Sequence, residues 1–293
     1  MIYFCADDYG ISKESNETIE RCLKHGALNK VSVLPNGDLS GLASCLSDPG
    51  TEVSLHLNLV EGRPLSDPAE IGLLLDGNGC FKDSFAGLLL RSLTPGRTEF
   101  ERQLSCEIRS QLRFWKAQVG DGRSISIDSH QHVHMIPLIF RTLLRVIREE
   151  GIEVHYLRIP AEPILPYLLT PSLYFTYRPV GLVKQWVLKF LALVNRSAWK
   201  KSGIRTACFM GVLFSGNMDR KRVKALLGPY ARLAEKRGQH LEAVFHPGGA
   251  EDASRFMPGI RSGFRAFYES PGRKVEFDTL MDPDLHTIVK EGV

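Results

Sequence analysis

The sequence predicts an α/β protein, a distorted TIM-barrel-like (β/α) barrel in a single domain with loop insertions. Three observations lead there. Short apolar runs alternate with longer helical patterns, as in repeated βα units around a parallel sheet. Ionisable residues stand at or just past the ends of those runs, on the rim where parallel barrels gather their chemistry. The length of 293 residues suits one large domain, here 1–293.

The strands are expected at 2–6, 30–34, 52–57, 124–128, 154–159, 206–213 and 241–245, each an apolar or β-branched run. Ser12 before Lys13-Glu14-Ser15 reads as an N-cap, so a helix runs over 13–25 and ends near Gly26. Residues 61–98, with Gly62, Pro64, Pro68, Gly77, Gly79 and Pro95, read as an elaborated loop with short helical pieces. Over 99–117, Phe100, Leu104, Ile108, Leu112 and Trp115 recur at helical spacing. A further helix starts at Pro137 and runs to Glu150-Gly151. Five prolines between 160 and 180 forbid a continuous helix there. Two insertions, at about 61–98 and 160–204, therefore interrupt the repeating pattern.

Hydrophobic content of 43% and charged content of 24% are those of an ordinary globular protein. A net charge of +4 gives no electrostatic case for a nucleic-acid partner. The six cysteines form no CxxC pair, which argues against a thiolate zinc cluster and fits a reducing cytoplasm. The first residues lack the pattern of a signal peptide, and no apolar run reaches the about 18 residues of a membrane span. The expected location is cytoplasmic.

The chemistry lies in Asp7-Asp8, His56 with Asn58, Asp128-Ser129-His130-Gln131-His132-Val133-His134, Arg158 and His246. Carboxylate and imidazole together suit one divalent ion, Mg2+ or Zn2+, and three protein ligands leave a position open. Asp8, His56 and His130 are assigned as those ligands. Asp7 is then the base beside the metal-bound water. Neighbours on a strand point to opposite sides, so the pair can share one site only where the strand breaks, for which Tyr9-Gly10 is the expected place. His246, heading His246-Pro247-Gly248-Gly249, is the expected donor to a leaving group. Arg158 would hold Asp7 ionised or bind a substrate oxygen, and Asp128 would orient a histidine. If the segment after His130 is extended, His132 and His134 share its face and line a substrate pocket with Tyr9 and Asn58. Each has a plainer competitor: Asp7-Asp8 as a helix-capping pair, the histidines as a solvated loop, Asn58 as a partner of loop backbone.

These residues resemble a known family. Ala6-Asp7-Asp8-Tyr9-Gly10-Ile11-Ser12, Leu55-His56-Leu57-Asn58-Leu59, Asp128-Ser129-His130-Gln131-His132-Val133-His134 and His246-Pro247-Gly248 occur in the order and context of the YdjC-like carbohydrate deacetylases, which include chitooligosaccharide deacetylases. The resemblance runs from residue 2 to about 160 and resumes at about 205–249. It implies a distorted barrel that removes an acetyl group from an N-acetylated sugar, oligosaccharide or glycoconjugate with a divalent metal. Its ligands fall on Asp8, His56 and His130, and its base or base-partner carboxylate on Asp7. Tyr9 stands where phenylalanine is common. Leu182–Trp199 resembles the longer, hopanoid-associated branch more than the short deacetylases.

From Arg178 to Arg205 there are seven basic residues and no acidic one, amid Trp186, Phe190 and many aliphatics. Such a helix at 182–199 fits a peripheral membrane contact, or else a cover for the barrel or a homodimer interface. Two other functions are compatible with the constellation: a metal-dependent phosphoesterase, and a non-catalytic sugar-binding protein of the same fold.

Overall fold

The computed structural model of the chain describes residues 1–120, 124–248 and 255–291. Gly249 of the His246-Pro247-Gly248-Gly249 motif lies outside the described residues. Seven strands form one sheet: β1 (Ile2–Tyr9), β2 (Lys30–Val33), β3 (Glu52–Leu57), β4 (Ile125–Ser129), β5 (Val154–Leu157), β6 (Cys208–Met210) and β7 (Leu241–Phe245). Every pairing is parallel, in the order β5-β4-β3-β2-β1-β7-β6. Crossover helices alternate with them: α1 (Lys13–His25), α2 (Leu42–Ser47), α3 (Phe85–Leu93), α4 (Arg97–Val119), α5 (Pro137–Glu149), α6 (Leu165–Leu168), α7 (Pro179–Ser202) and α8 (Arg220–Lys236). Three more, α9 (Ser262–Tyr268), α10 (Pro271–Leu280) and α11 (Pro283–Glu291), follow the last strand.

The sheet curls until its two edges meet. They touch at a single parallel bridge between Tyr156 of β5 and Arg205, where the N–H of Leu157 donates to the Arg205 carbonyl at 3.0 Å. Further toward the rim the edges separate, and Glu162 spans the seam. Its carboxylate accepts from the backbone N–H of Gly211 at 2.9 Å and of Leu213 at 2.8 Å. The barrel is therefore distorted at this seam, with α6 and α7 inserted beside it.

Seven strands match the seven expected runs, with β2 one residue shorter and β5 and β6 cut further. The run at 206–213 yields only Cys208–Met210, because Gly211 takes φ 127° and turns its N–H to Glu162. β5 stops at Leu157, although the Arg158 N–H still donates to Ile127. Residues 61–98 hold two 3-10 turns and α3, and the proline-rich stretch holds only α6 and one 3-10 turn.

Hydrophobic side chains fill the layer between sheet and helices, whereas the barrel interior is ionic. Lys30, Arg158 and Glu242 are buried there, with Lys30 Nζ 3.2 Å and Arg158 Nη2 2.8 Å from Glu242. The Lys30 ammonium also sits 3.9 Å above the Tyr156 ring. Burial of this kind is tolerated only because each charge has an opposite neighbour. At the rim, Asn16 accepts from the Gly10 N–H at 2.7 Å and donates to the Asp38 carbonyl at 2.8 Å. That clamp ties the β1 and β2 loops together. Gly37 is required beside it: a Cβ there would lie 2.3 Å from the Gly10 oxygen.

Candidate metal centre

Asp7 and Asp8 reach one site through a bulge. Ala6 pairs with Val31 and Tyr9 with Val33, so two residues of β1 stand opposite Ser32 alone. Asp8 takes φ 70°, the left-handed region that aspartate tolerates better than most residues. The break thus falls on Asp8 itself, one step before the expected Tyr9-Gly10. Asp7 continues the inward alternation of Cys5, whose thiol lies 3.7 Å from it, and Asp8 is turned onto the rim.

Two imidazoles meet Asp8. His130 Nδ1 is 3.0 Å from Asp8 Oδ1 and His56 Nε2 is 3.6 Å from the same oxygen. Asp8, His56 and His130 each offer a ligand atom, all within 4.8 Å of one another. Each ring is fixed by its other nitrogen. His56 Nδ1 lies 2.5 Å from Asp128 Oδ1, and His130 Nε2 lies 3.0 Å from Glu61 Oε2. This is how histidines that ligate metals are usually held.

Charge balance tests the donor set. From Asp8 outward, direct contacts link five buried carboxylates (Asp7, Asp8, Glu61, Asp128, Glu242) to three buried cations (Lys30, Arg158, Arg273). With neutral imidazoles the set carries two uncompensated negative charges, which a divalent cation would cancel. Protons do the same in the metal-free protein. Burial pulls His56 down, but the carboxylates of Asp7, Asp128 and Asp8 outweigh it and raise its pKa to about 10. His130 rises to about 9 against the same burial, through Asp8 and Glu61. Asp8 falls well below the ordinary range despite burial, because His130, His56 and His246 surround it.

Arg158 lies beneath this centre, wholly buried. It grips Asp7 with both nitrogens, Nη1–Oδ2 at 2.8 Å and Nη2–Oδ1 at 2.9 Å, and meets Asp128 Oδ2 at 3.0 Å. Of its two expected roles the geometry serves the holding of Asp7, since no face of the guanidinium is open to a substrate. His246 follows β7, and its Nδ1 is buried without a partner, 3.8 Å from Glu276 Oε2.

Three of the residues expected to line the pocket, Tyr9, Asn58 and His134, are placed differently. Tyr9 points away from the centre, its hydroxyl donating to Glu20 of α1 at 2.7 Å. Asn58 is enclosed: it accepts from the N–H groups of Val60 and Glu61 and donates to Asn36 and the Glu61 carbonyl. Residues His130–Met135 form a 3-10 turn with left-handed Gln131 and His132, so the three histidines do not share one extended face. His134 turns into the core, between Ser129 and the Arg158 carbonyl, and burial lowers it to about 4. His132 packs edge-on against Phe209 with its Nδ1 unpartnered.

Several site residues gave no sequence signal. Glu61 comes from the turn that Asn58 organises, in a stretch that reads only as loop. Tyr268 of α9 donates to Glu61 at 2.7 Å, and Arg273 of α10 reaches Asp8 Oδ2 at 3.4 Å while bonding the Gly248 carbonyl. Glu276 accepts from the N–H groups of His246 and Met218. Polar residues at helical spacing in a C-terminal tail were the only available hint. Burial lowers the pKa of Lys184 in α7, while the charges of Asp7, Asp8 and Glu162 oppose the change.

A family model described as YdjC-like protein matches residues 1–291. A carbohydrate deacetylase of Danio rerio is 29% identical over 162 residues, which are 55% of this chain and 50% of that one. A chitooligosaccharide deacetylase of Salmonella schwarzengrund is 32% identical over 162 residues, 55% of this chain and 59% of its own. The aligned region thus spans little more than half the length of these curated relatives. A solved structure from Enterococcus faecalis, described in connection with cellobiose-phosphate cleavage, superposes with a TM-score of 0.58 at 17% identity, covering 99% of this chain and 94% of that one. At that identity the likeness speaks for the fold alone.

Proposed function

The chain belongs to the YdjC-like family, and on that premise we propose that it is a metal-dependent deacetylase of an N-acetylated saccharide or glycoconjugate. The observation that carries the proposal is the convergence of Asp8, His56 and His130 beside Asp7, from β1, β3 and the turn after β4. The names of the curated relatives support the substrate class.

Asp8, His56 and His130 would hold the ion. A divalent ion there supplies Lewis acidity toward the acetyl carbonyl and lowers the pKa of a bound water. Asp7 accepts the proton from the attacking water. Arg158 holds the Asp7 carboxylate in place through two hydrogen bonds while also meeting Asp128 and Glu242. Asp128 and Glu61 fix the tautomers and angles of His56 and His130. His246, whose Nδ1 makes no hydrogen bond within the protein, would protonate the departing amine. Atoms balance as water adds to the amide carbon, the C–N bond breaks, and acetate and an amine leave.

The test is acetate release from N-acetylglucosamine oligosaccharides with Mg2+ or Zn2+, in wild type and Asp7→Asn. The variant should bind metal with unchanged stoichiometry and lose about 10²- to 10⁴-fold in turnover. Near-normal turnover in Asp7→Asn would overturn the mechanism. Phosphate release from phosphorylated sugars without acetate release would overturn the reaction.

A further inference from the structure

Helix α7 is strongly apolar on the face it turns outward. Its buried face carries Gln185 and Asn195, which donate to the Glu162 and Met135 carbonyls, alongside Leu188 and Leu191. Its outer face carries the large apolar residues: Val183 is 63% exposed, Trp186 56%, Phe190 64% and Leu193 65%. An amphipathic helix that merely covered a barrel would present polar residues on that outer face. Leu93 at the end of α3, 75% exposed, extends the surface across a groove of about 630 Å³ that Trp186 and Phe190 also line. Just before the helix, Phe175 is held at φ 61° with its ring 89% exposed.

Cations bound this apolar ridge on both sides. Lys189, Arg196 and Lys200 recur at seven and four residues, forming a stripe along one flank of α7. Arg97 and Arg141 line the groove on the other flank. None of these five makes an ion pair among the described residues, and no carboxylate occurs from Arg178 to Arg205. A second copy docking on the same face by two-fold symmetry would set cations against cations, with no carboxylate from this helix to meet them.

We infer that the outer face of α7, with the end of α3, docks on an anionic lipid surface. Trp186, Phe190 and Leu193 would enter the headgroup boundary while the flanking cations meet lipid phosphates. No described helix is long and apolar enough to cross a membrane, so the helix lies on the surface rather than spanning it. The inference stands on this surface alone and does not depend on the reaction proposed above.

The test is co-sedimentation of the full chain with phosphatidylcholine vesicles, with and without phosphatidylglycerol, together with tryptophan emission. The expected result is binding to the phosphatidylglycerol vesicles with a blue shift, weakened by salt. Trp186→Glu/Phe190→Glu should bind at least about tenfold more weakly, and Lys189→Glu/Arg196→Glu should lose the preference for anionic lipid. All four positions lie on the outer face or its flank, and an unchanged melting temperature confirms that each variant folds. Wild type remaining in the supernatant with anionic vesicles would overturn the inference. So would undiminished binding by Trp186→Glu/Phe190→Glu, or a dimer in solution that this variant dissociates and that ignores vesicles.

Discussion

Glu61 Oε2 lies 3.0 Å from His130 Nε2, on the side of the ring opposite the nitrogen that faces Asp8. The same oxygen accepts from Tyr268, so a loop residue and a C-terminal helix jointly set the angle of one proposed ligand. Glu61→Gln keeps the volume and removes the charge. Metal affinity, read by calorimetry, is expected to fall about 10- to 100-fold with the fold intact. Unchanged affinity would show that the contact does not support the ligand.

Proton release follows from the raised histidines. At pH 7, below both about 9 and about 10, metal-free His130 and His56 are charged. A cation must displace both protons, so uptake should release about two and affinity should fall as pH falls. Calorimetry in buffers of different ionisation enthalpy counts them, and a value near zero would contradict the assignment of these two ligands.

The same shifts set a pH dependence of stability. These histidines are raised in the fold, so their contribution is present in full below the unfolded value near 6.5 and is lost as pH rises through about 9 to about 10. Urea midpoints of the metal-free protein should decline across that window. A flat profile would mean that the two rings carry no linked protons.

Arg158 joins three carboxylates in the barrel interior. Arg158→Ala would remove the one cation that Asp7, Asp128 and Glu242 share, and is expected to cost about 3–5 kcal/mol in chemical denaturation. A loss below about 1 kcal/mol would mean that water or relaxation replaces the guanidinium.

Glu162 is the carboxylate that spans the seam. Glu162→Ala would strand the N–H groups of Gly211 and Leu213, costing about 1–3 kcal/mol and speeding hydrogen exchange at those two amides. Unaltered exchange there would show that the seam is held by other contacts.

The strands, the helices at 13–25 and 99–117, and the grouping of Asp8, His56 and His130 were legible because each rests on local pattern: alternation, helical spacing, or position at a strand end. What escaped depends on contacts between distant segments. Glu61 acquires meaning only once the Asn58 turn points it at His130. Tyr268, Arg273 and Glu276 belong to helices whose docking no local period reveals. Tyr9 and Asn58 were misplaced for a related reason. Both lie next to site residues in sequence, but the bulge sends Tyr9 outward and the turn consumes Asn58. The His130–Met135 segment is not extended, because two non-glycine residues adopt left-handed backbone, so its three histidines are split between different surroundings.

That bulge also determines how β1 can be altered. It holds one amino acid more than its neighbour needs over the same distance, and this surplus seats two acids side by side. Deleting a single residue at 7 or 8 would restore perfect pairing with β2, a tidier sheet by every backbone measure. The repaired strand would keep only one acid at the rim, so regularity and chemistry are mutually exclusive at this point of the chain.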